Sequence, residues 1–196
     1  MAPAAMGAIT RGGSGVVSHL LSGYTRVRHR ELLASVNSGV TFSAALDYTI
    51  LQPALPNGLN NINQGFATWL PSIAKQFEKW KMEYCRIDYV PSVGSQQAGN
   101  IYMGVDYDFY DSIPASSSQL MSAEDSVSGR IWEDLSLTLS RHDLAESRDW
   151  QFTRAGAASG DNKLYDKGVL YIAPVAPLTV VTAGDVYVEY SILLSN

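Results

Sequence analysis

The chain has 196 residues, 46% of them hydrophobic and 17% charged, with a formal net charge of −5 at pH 7. That length supports one sizeable core and is short for two ordinary domains, and the acidic balance disfavours a freestanding nucleic-acid binder, which carries a basic excess. No run approaches the ~20 apolar residues of a membrane helix, "MAPAAMGAITRGG" lacks the order of a signal peptide, and the one cysteine, Cys85, permits neither an internal disulfide nor a thiolate metal cluster.

In chain order, residues 1–23 are rich in Ala, Gly and Ser and are expected to form a flexible arm, with a single folded domain over 24–196. Period-two alternation and β-branched or aromatic enrichment then mark strands over residues 25–35, 41–51, 81–90, 100–108, 131–139, 149–153, 168–173 and 185–194. In the last of these Val186, Val188, Tyr190, Ile192 and Leu194 share one face. The best helical spacing runs from Trp69 to Trp80, through Leu70, Ile73 and Phe77, with Pro71 tolerated in the first turn. A second helical turn is expected in "SSSQLMSAE", residues 116–124. Gly, Asn, Asp and Pro cluster between the elements, as in "LPNGLNN", "GSQQAGN" and "AASGDN". Eight strands, long loops and little helix predict an all-β, eight-stranded antiparallel jelly-roll sandwich with one or two short helices.

Catalytic signatures are weak. His19, His29 and His142 stand in separate segments without ligand spacing and read as ordinary surface or interface histidines. No G-x-S-x-G is present, and "RGGSG" lacks the Lys-Ser/Thr ending of a phosphate loop. The stretch "NIYMGVDYDFYDSIP" is more informative, because Asp106, Asp108 and Asp111 follow one another with no Lys, Arg or His among them. On an extended strand Asp106 and Asp108 would project to one side, roughly 6 to 7 Å apart at Cα. Crowded carboxylates repel unless protonated, solvated or bound to a cation, and hard oxygens in this arrangement suit Ca2+. An EF-hand fails the count from Asp106, since Asp111 falls where its Gly belongs and Ser117 where its Glu belongs. A solvated acidic strand end is the alternative. Arg26, Arg28 and Arg30 also alternate, along either a phosphate-binding face or a charged sheet face answered by acidic neighbours. Trp69, Phe77, Trp80 and Trp132 read as core, with a sugar platform as the minor alternative.

Several stretches together resemble the shell domain of small icosahedral plant-virus coat proteins of the tombusvirus and sobemovirus type. They are "VRHRELLASV", "FATWLPSIAKQFEKWKMEYCRIDYVPSVGS", "GNIYMGVDYDFYDSIP", "VSGRIW", "KLYDKGVLYIA" and "GDVYVEYSILL", which follow the family order across about residues 25–195. The resemblance implies a non-enzymatic jelly roll that self-assembles into a homo-oligomeric icosahedral shell around a genome, in a virion assembled in the host cytoplasm. It also implies Ca2+ at subunit interfaces, with Asp108 and Asp111 as ligands, Asp106 from the fuller tombusvirus pattern, and Asn196 of an adjacent subunit from the sobemovirus pattern. The family's long basic arm is represented here by Arg11 alone before Arg26. Viral RNA contacts are therefore expected from Arg11 and from Arg26, Arg28 and Arg30. Two other functions remain open on the residues: a calcium-dependent carbohydrate-binding module using Tyr102, Tyr107 or Tyr110, and an enzyme using two of the aspartates as acid and base.

Overall fold

A computed structural model of the protein describes residues 15–19, 23–43, 47–109, 111–140, 144 and 150–196. Among these the chain forms ten strands: β1 (Val16–His19), β2 (Thr25–Asn37), β3 (Tyr48–Ile50), β4 (Lys79–Pro91), β5 (Asn100–Asp106), β6 (Asp125–Arg130), β7 (Leu135–Thr138), β8 (Gln151–Phe152), β9 (Val169–Val175) and β10 (Thr182–Ser195). Two four-residue helices, α1 (Pro71–Ala74) and α2 (Ser117–Leu120), lie in the connections.

The strands make two sheets, a six-stranded one in the order β1-β2-β10-β4-β7 with β8 also on β4, and a four-stranded one in the order β3-β9-β5-β6. Strands β2 and β3, then β4 and β5, then β6 and β7, switch sheets in succession, so the connections wrap the sandwich as in a jelly roll. The core lies between the inner faces. Val186, Val188, Tyr190, Ile192 and Leu194 of β10 face Ile101, Met103 and Val105 of β5 and Leu170 and Ile172 of β9, all of them buried. The inward alternation read from the sequence is therefore the one that is packed.

Bulges reset the alternation on both neighbours of β10. Ser191 pairs with Tyr84 but Ile192 pairs with Met82, so Glu83 is an extra residue in β4. Inward positions consequently change from Trp80 and Met82 to Cys85, Ile87 and Tyr89. In β2, Val186 pairs with Ala34 and Tyr187 with Leu32, which leaves Leu33 as the extra residue.

The jelly roll expected from the sequence is present, with three differences in its elements. Strand β1, paired with β2, falls inside the stretch read as an arm, while residues 1–14 of that stretch lie outside the described residues. Strand β6 covers "DSVSGR", where no apolar alternation announces it, and residues 131–134 form the turn into β7. The helix expected over Trp69–Trp80 is reduced to α1 and a following turn, because the Glu78 N–H donates to the Ser195 carbonyl (3.1 Å) and draws Lys79 and Trp80 into the sheet. Helix α2 is where the second helical turn was expected, and its Ser116 cap accepts from the Gln119 N–H.

One buried polar network anchors the chain that leads into β9. Arg154 Nε and Nη2 donate to the two oxygens of Asp166 at 2.7 and 2.6 Å, and the remaining donors reach Ile62, Asn63 and Gly156. Gln52 adds bonds to the Phe152 and Tyr165 carbonyls. The segment thus held runs into Gly168, where a Cβ would stand 2.7 Å from the Asp106 carbonyl oxygen. Only glycine allows the chain entering β9 to lie this close to the end of β5.

Candidate metal centre at the end of β5

Asp106 closes β5, opposite Val169 of β9. Its carboxylate accepts a hydrogen bond from the Asp108 N–H at 2.8 Å, and the Asp111 N–H donates to the Asp108 carbonyl at 3.2 Å. The first of these bonds makes a turn of the Asx kind at Asp106–Asp108, and the second draws Asp111 back toward it. Asp106 and Asp108 do not share a strand face as the alternation predicts: β5 ends at Asp106, whose side chain captures the Asp108 amide. The turn, rather than the pleat, brings the acidic residues to one corner of the molecule. Asp106 and Asp111 border a cleft of about 340 Å³ that is completed by Ser112, Pro114, Gln119 and Leu120. Asp108 turns to another neighbour, with Lys163 Nζ 3.1 Å from its carboxylate oxygens.

The electrostatics of this corner are those of crowded anions. Burial pushes the Asp106 carboxyl above the usual carboxylate range, the Asp108 amide opposes that shift, and the charges of Asp111 and Asp108 add to it. The Tyr171 phenol is pushed up to about 12 by burial, with Asp106, Tyr48 and Asp111 contributing. A cation would relieve this field, and the donors are the hard oxygens that Ca2+ accepts. Among the described residues, however, no group of three or more His, Cys, Asp or Glu side chains is arranged to hold an ion. The residues suit calcium in kind but form a partial set within one chain. Asn196 is exposed past the end of β10 in the six-stranded sheet, whereas the aspartates lie at and just past the end of β5 in the four-stranded one.

The three arginines lie along β2 in the six-stranded sheet, and two of them have acidic partners from β4. Arg26 forms a bidentate pair with Glu83 at 2.8 and 2.7 Å, and hydrogen bonding from Arg26 holds the Glu83 carboxyl below its ordinary range. Arg30 reaches Asp88 at 3.2 Å and stacks over the Tyr187 ring at 4.4 Å. Arg86 and Ser136 also bond Asp88. Arg28 donates to the Ser191 hydroxyl at 3.2 Å and lines a cleft of about 340 Å³ with Lys81, Glu83 and Tyr84. Arg11 lies outside the described residues.

Other candidate residues have packing roles. The His29 ring sits edge-on to Trp69, with centroids 4.9 Å apart, beside Tyr190. Cys85 is buried and its thiol is pushed up by burial, which suits core rather than nucleophile. Tyr102 packs edge-on to Phe42, and the Tyr107 hydroxyl donates to Asp125 at 2.6 Å, so two of the three tyrosines considered for a sugar platform are engaged in the fold. Tyr110 and His142, and the side chain of His19, lie outside the described residues.

Comparison with known proteins places the whole arrangement. A family model for viral coat protein (S domain) matches residues 1–196. The capsid protein of Tomato bushy stunt virus (strain BS-3) is 28% identical over 196 residues, covering 99% of this chain and 47% of that protein. The capsid protein of Artichoke mottled crinkle virus is 26% identical with the same coverage. The chain thus spans about half the length of the curated relatives it matches. Among solved structures, that of Cucumber Leaf Spot Virus superposes with a TM-score of 0.83 at 26% identity, over 100% of this chain and 58% of the other. Tobacco necrosis virus gives a TM-score of 0.80 at 18% identity, over 96% of this chain and 89% of the other, which supports the fold. With two sheets in jelly-roll order and a family match along its full length, the chain belongs to the viral coat protein S-domain family, whose members are structural proteins rather than enzymes.

Proposed function

We propose that this chain is the shell-forming part of a coat protein that assembles with copies of itself into the closed icosahedral shell of a virion around viral RNA, with assembly in the host cytoplasm and Ca2+ held between subunits. The observation that carries the calcium part is the Asp106–Asp108–Asp111 turn. It concentrates partly desolvated like charge at one corner and offers too few converging ligands in a single chain. A set completed by a neighbouring copy answers both features. In this reading Asp106, Asp108 and Asp111 supply carboxylate oxygens from one subunit, and the exposed Asn196 of an adjacent copy supplies a further oxygen. A bound Ca2+ supplies two positive charges and six to eight oxygen positions of flexible geometry.

The chain's own residues then make the contact conditional. While the carboxylates are neutralised, the corner docks without repulsion; when they are left ionised and uncompensated, they push neighbouring subunits apart. Removal of the ion favours swelling, and so does deprotonation of the carboxylates when pH rises in its absence. For RNA, the six-stranded sheet offers Arg28 more readily than Arg26 or Arg30, whose charges are answered by Glu83 and Asp88. Arg11 is assigned the same role. The test is the double substitution Asp108→Asn with Asp111→Asn, read as particle radius by light scattering with and without chelator. The parent is expected to swell on chelation and the variant to show no calcium response; an unchanged response in the variant contradicts the site.

A further inference from the structure

Lys163 is 55 residues from Asp108 in sequence, yet its ammonium rests on that carboxylate at 3.1 Å. Its position is built rather than incidental. Lys163 sits in a 3-10 turn over Asn162–Leu164, and the Asp161 carboxylate caps the turn by accepting from the Lys163 N–H at 2.9 Å. The turn closes through the Tyr165 and Asp166 amides onto the Asn162 carbonyl, and Asp166 is the buried partner of Arg154. The stem of Lys163 therefore rises from a surface turn that is anchored at one end by the buried Asp166. A cation seated on Asp108 is an observation independent of the aspartate spacing, and it shows that this carboxylate is presented to positive charge.

We infer that Lys163 is a tethered counter-cation that holds Asp108 while calcium is absent and is displaced when calcium binds, so that it sets the calcium affinity of the corner. The inference rests on the calcium reading above. An ammonium carries one charge and three donors, and from its fixed turn it reaches Asp108. It therefore relieves part of the repulsion among Asp106, Asp108 and Asp111. Both side chains are close to half exposed, at 45% and 46%. Exposed pairs of this kind change an equilibrium constant by a few-fold, which is strong enough to tune an ion site and weak enough to be displaced from it. The consequence is a corner with two occupied states, one holding calcium and tightly joined, the other holding lysine and loosely joined. A bare cluster of carboxylates is avoided in both.

The test is calorimetric titration of CaCl2 into assembled particles of the parent, Lys163→Met, Lys163→Arg and Asp108→Asn, with particle radius under chelator as a second readout. Lys163→Met keeps the length of the stem and removes the charge at a half-exposed position. It is expected to bind calcium about 2- to 10-fold tighter than the parent and to swell further when calcium is removed. Lys163→Arg is expected to stay near the parent on both readouts. Calcium binding by the parent with unchanged or weaker binding by Lys163→Met overturns the role of Lys163 and leaves the site standing. No calcium binding by the parent, or undiminished binding by Asp108→Asn, overturns the assignment of calcium to Asp108, and the role of Lys163 with it.

Discussion

Replacing Arg154 by Met removes the guanidinium paired with Asp166 while keeping an unbranched apolar stem in its place. The guanidinium makes five bonds: two to Asp166, at 2.7 and 2.6 Å, and one each to Ile62, Asn63 and Gly156. The side chains of the pair are 5% and 0% exposed, so water cannot substitute for the lost partner. Breaking a buried pair from one side costs ~3–5 kcal/mol, and at this chain length that corresponds to a fall in Tm of roughly 6–20 °C. The assay is urea unfolding of dissociated subunits at fixed concentration. Burial already raises the Asp166 carboxyl, with Arg154 and Gln52 opposing it, so loss of Arg154 raises it further. A carboxyl raised in the folded state contributes stability at low pH that is lost as pH rises through its folded value. The deficit should therefore be larger at pH 8 than at pH 5, and a second change, Asp166→Asn, should recover part of it. A deficit below ~1 kcal/mol, or one that grows toward acid, would refute the electrostatic reasoning.

Two further outcomes follow from the same structure. Asp47 is pushed up to about 6 by burial, so its contribution is present at low pH and is lost as pH rises through about 6. Asp47→Asn is expected to raise Tm at pH 7.5 relative to the parent and to lose that advantage by pH 4. Solvent contact reduces the gain to on the order of 1 kcal/mol, and an advantage at pH 4 that vanishes at pH 7.5 contradicts the sign. For RNA, Arg28→Gln should lower the slope of log K against log salt by about 0.7 in filter binding, whereas Arg26→Gln should lower it less because Glu83 already neutralises that charge. Equal effects from the two substitutions would contradict the ranking.

Much of the fold was legible in the residues, and the gaps have physical causes. The inward set of β10, from Val186 to Leu194, follows strict alternation because both neighbouring strands and the opposite sheet cover it. Strand β6 leaves little trace in the sequence because it lies at the edge of its sheet, beside β5, and needs little apolar patterning. Leu70, Ile73, Phe77 and Trp80 do have helical spacing, but pairing with β10 outweighs local preference and places Trp80 in β4. The bulge at Glu83 hides the inward pattern of β4, since Met82 and Cys85 cannot both face inward on a regular strand.

The candidate site was legible as a list of acidic residues and not as an arrangement. Spacing pointed to Asp106, Asp108 and Asp111, but an Asx turn that ends a strand at its first carboxylate leaves no periodic trace. The partners were hidden for another reason. Glu83, Asp88 and Lys163 meet Arg26, Arg30 and Asp108 across separations of 57, 58 and 55 residues. The two arginine pairs depend on sheet register and the Lys163 pair on how the turn before β9 is anchored, and both are set by the whole sandwich rather than by any local stretch.

Shell formation itself is tested most directly by the mass and shape of the purified protein in solution, by light scattering with electron microscopy, at neutral pH with calcium and again with chelator. Closed particles of uniform diameter built from many copies are expected with calcium, and swollen or dissociated particles after its removal. A clean monomer under both conditions would contradict assembly into a shell.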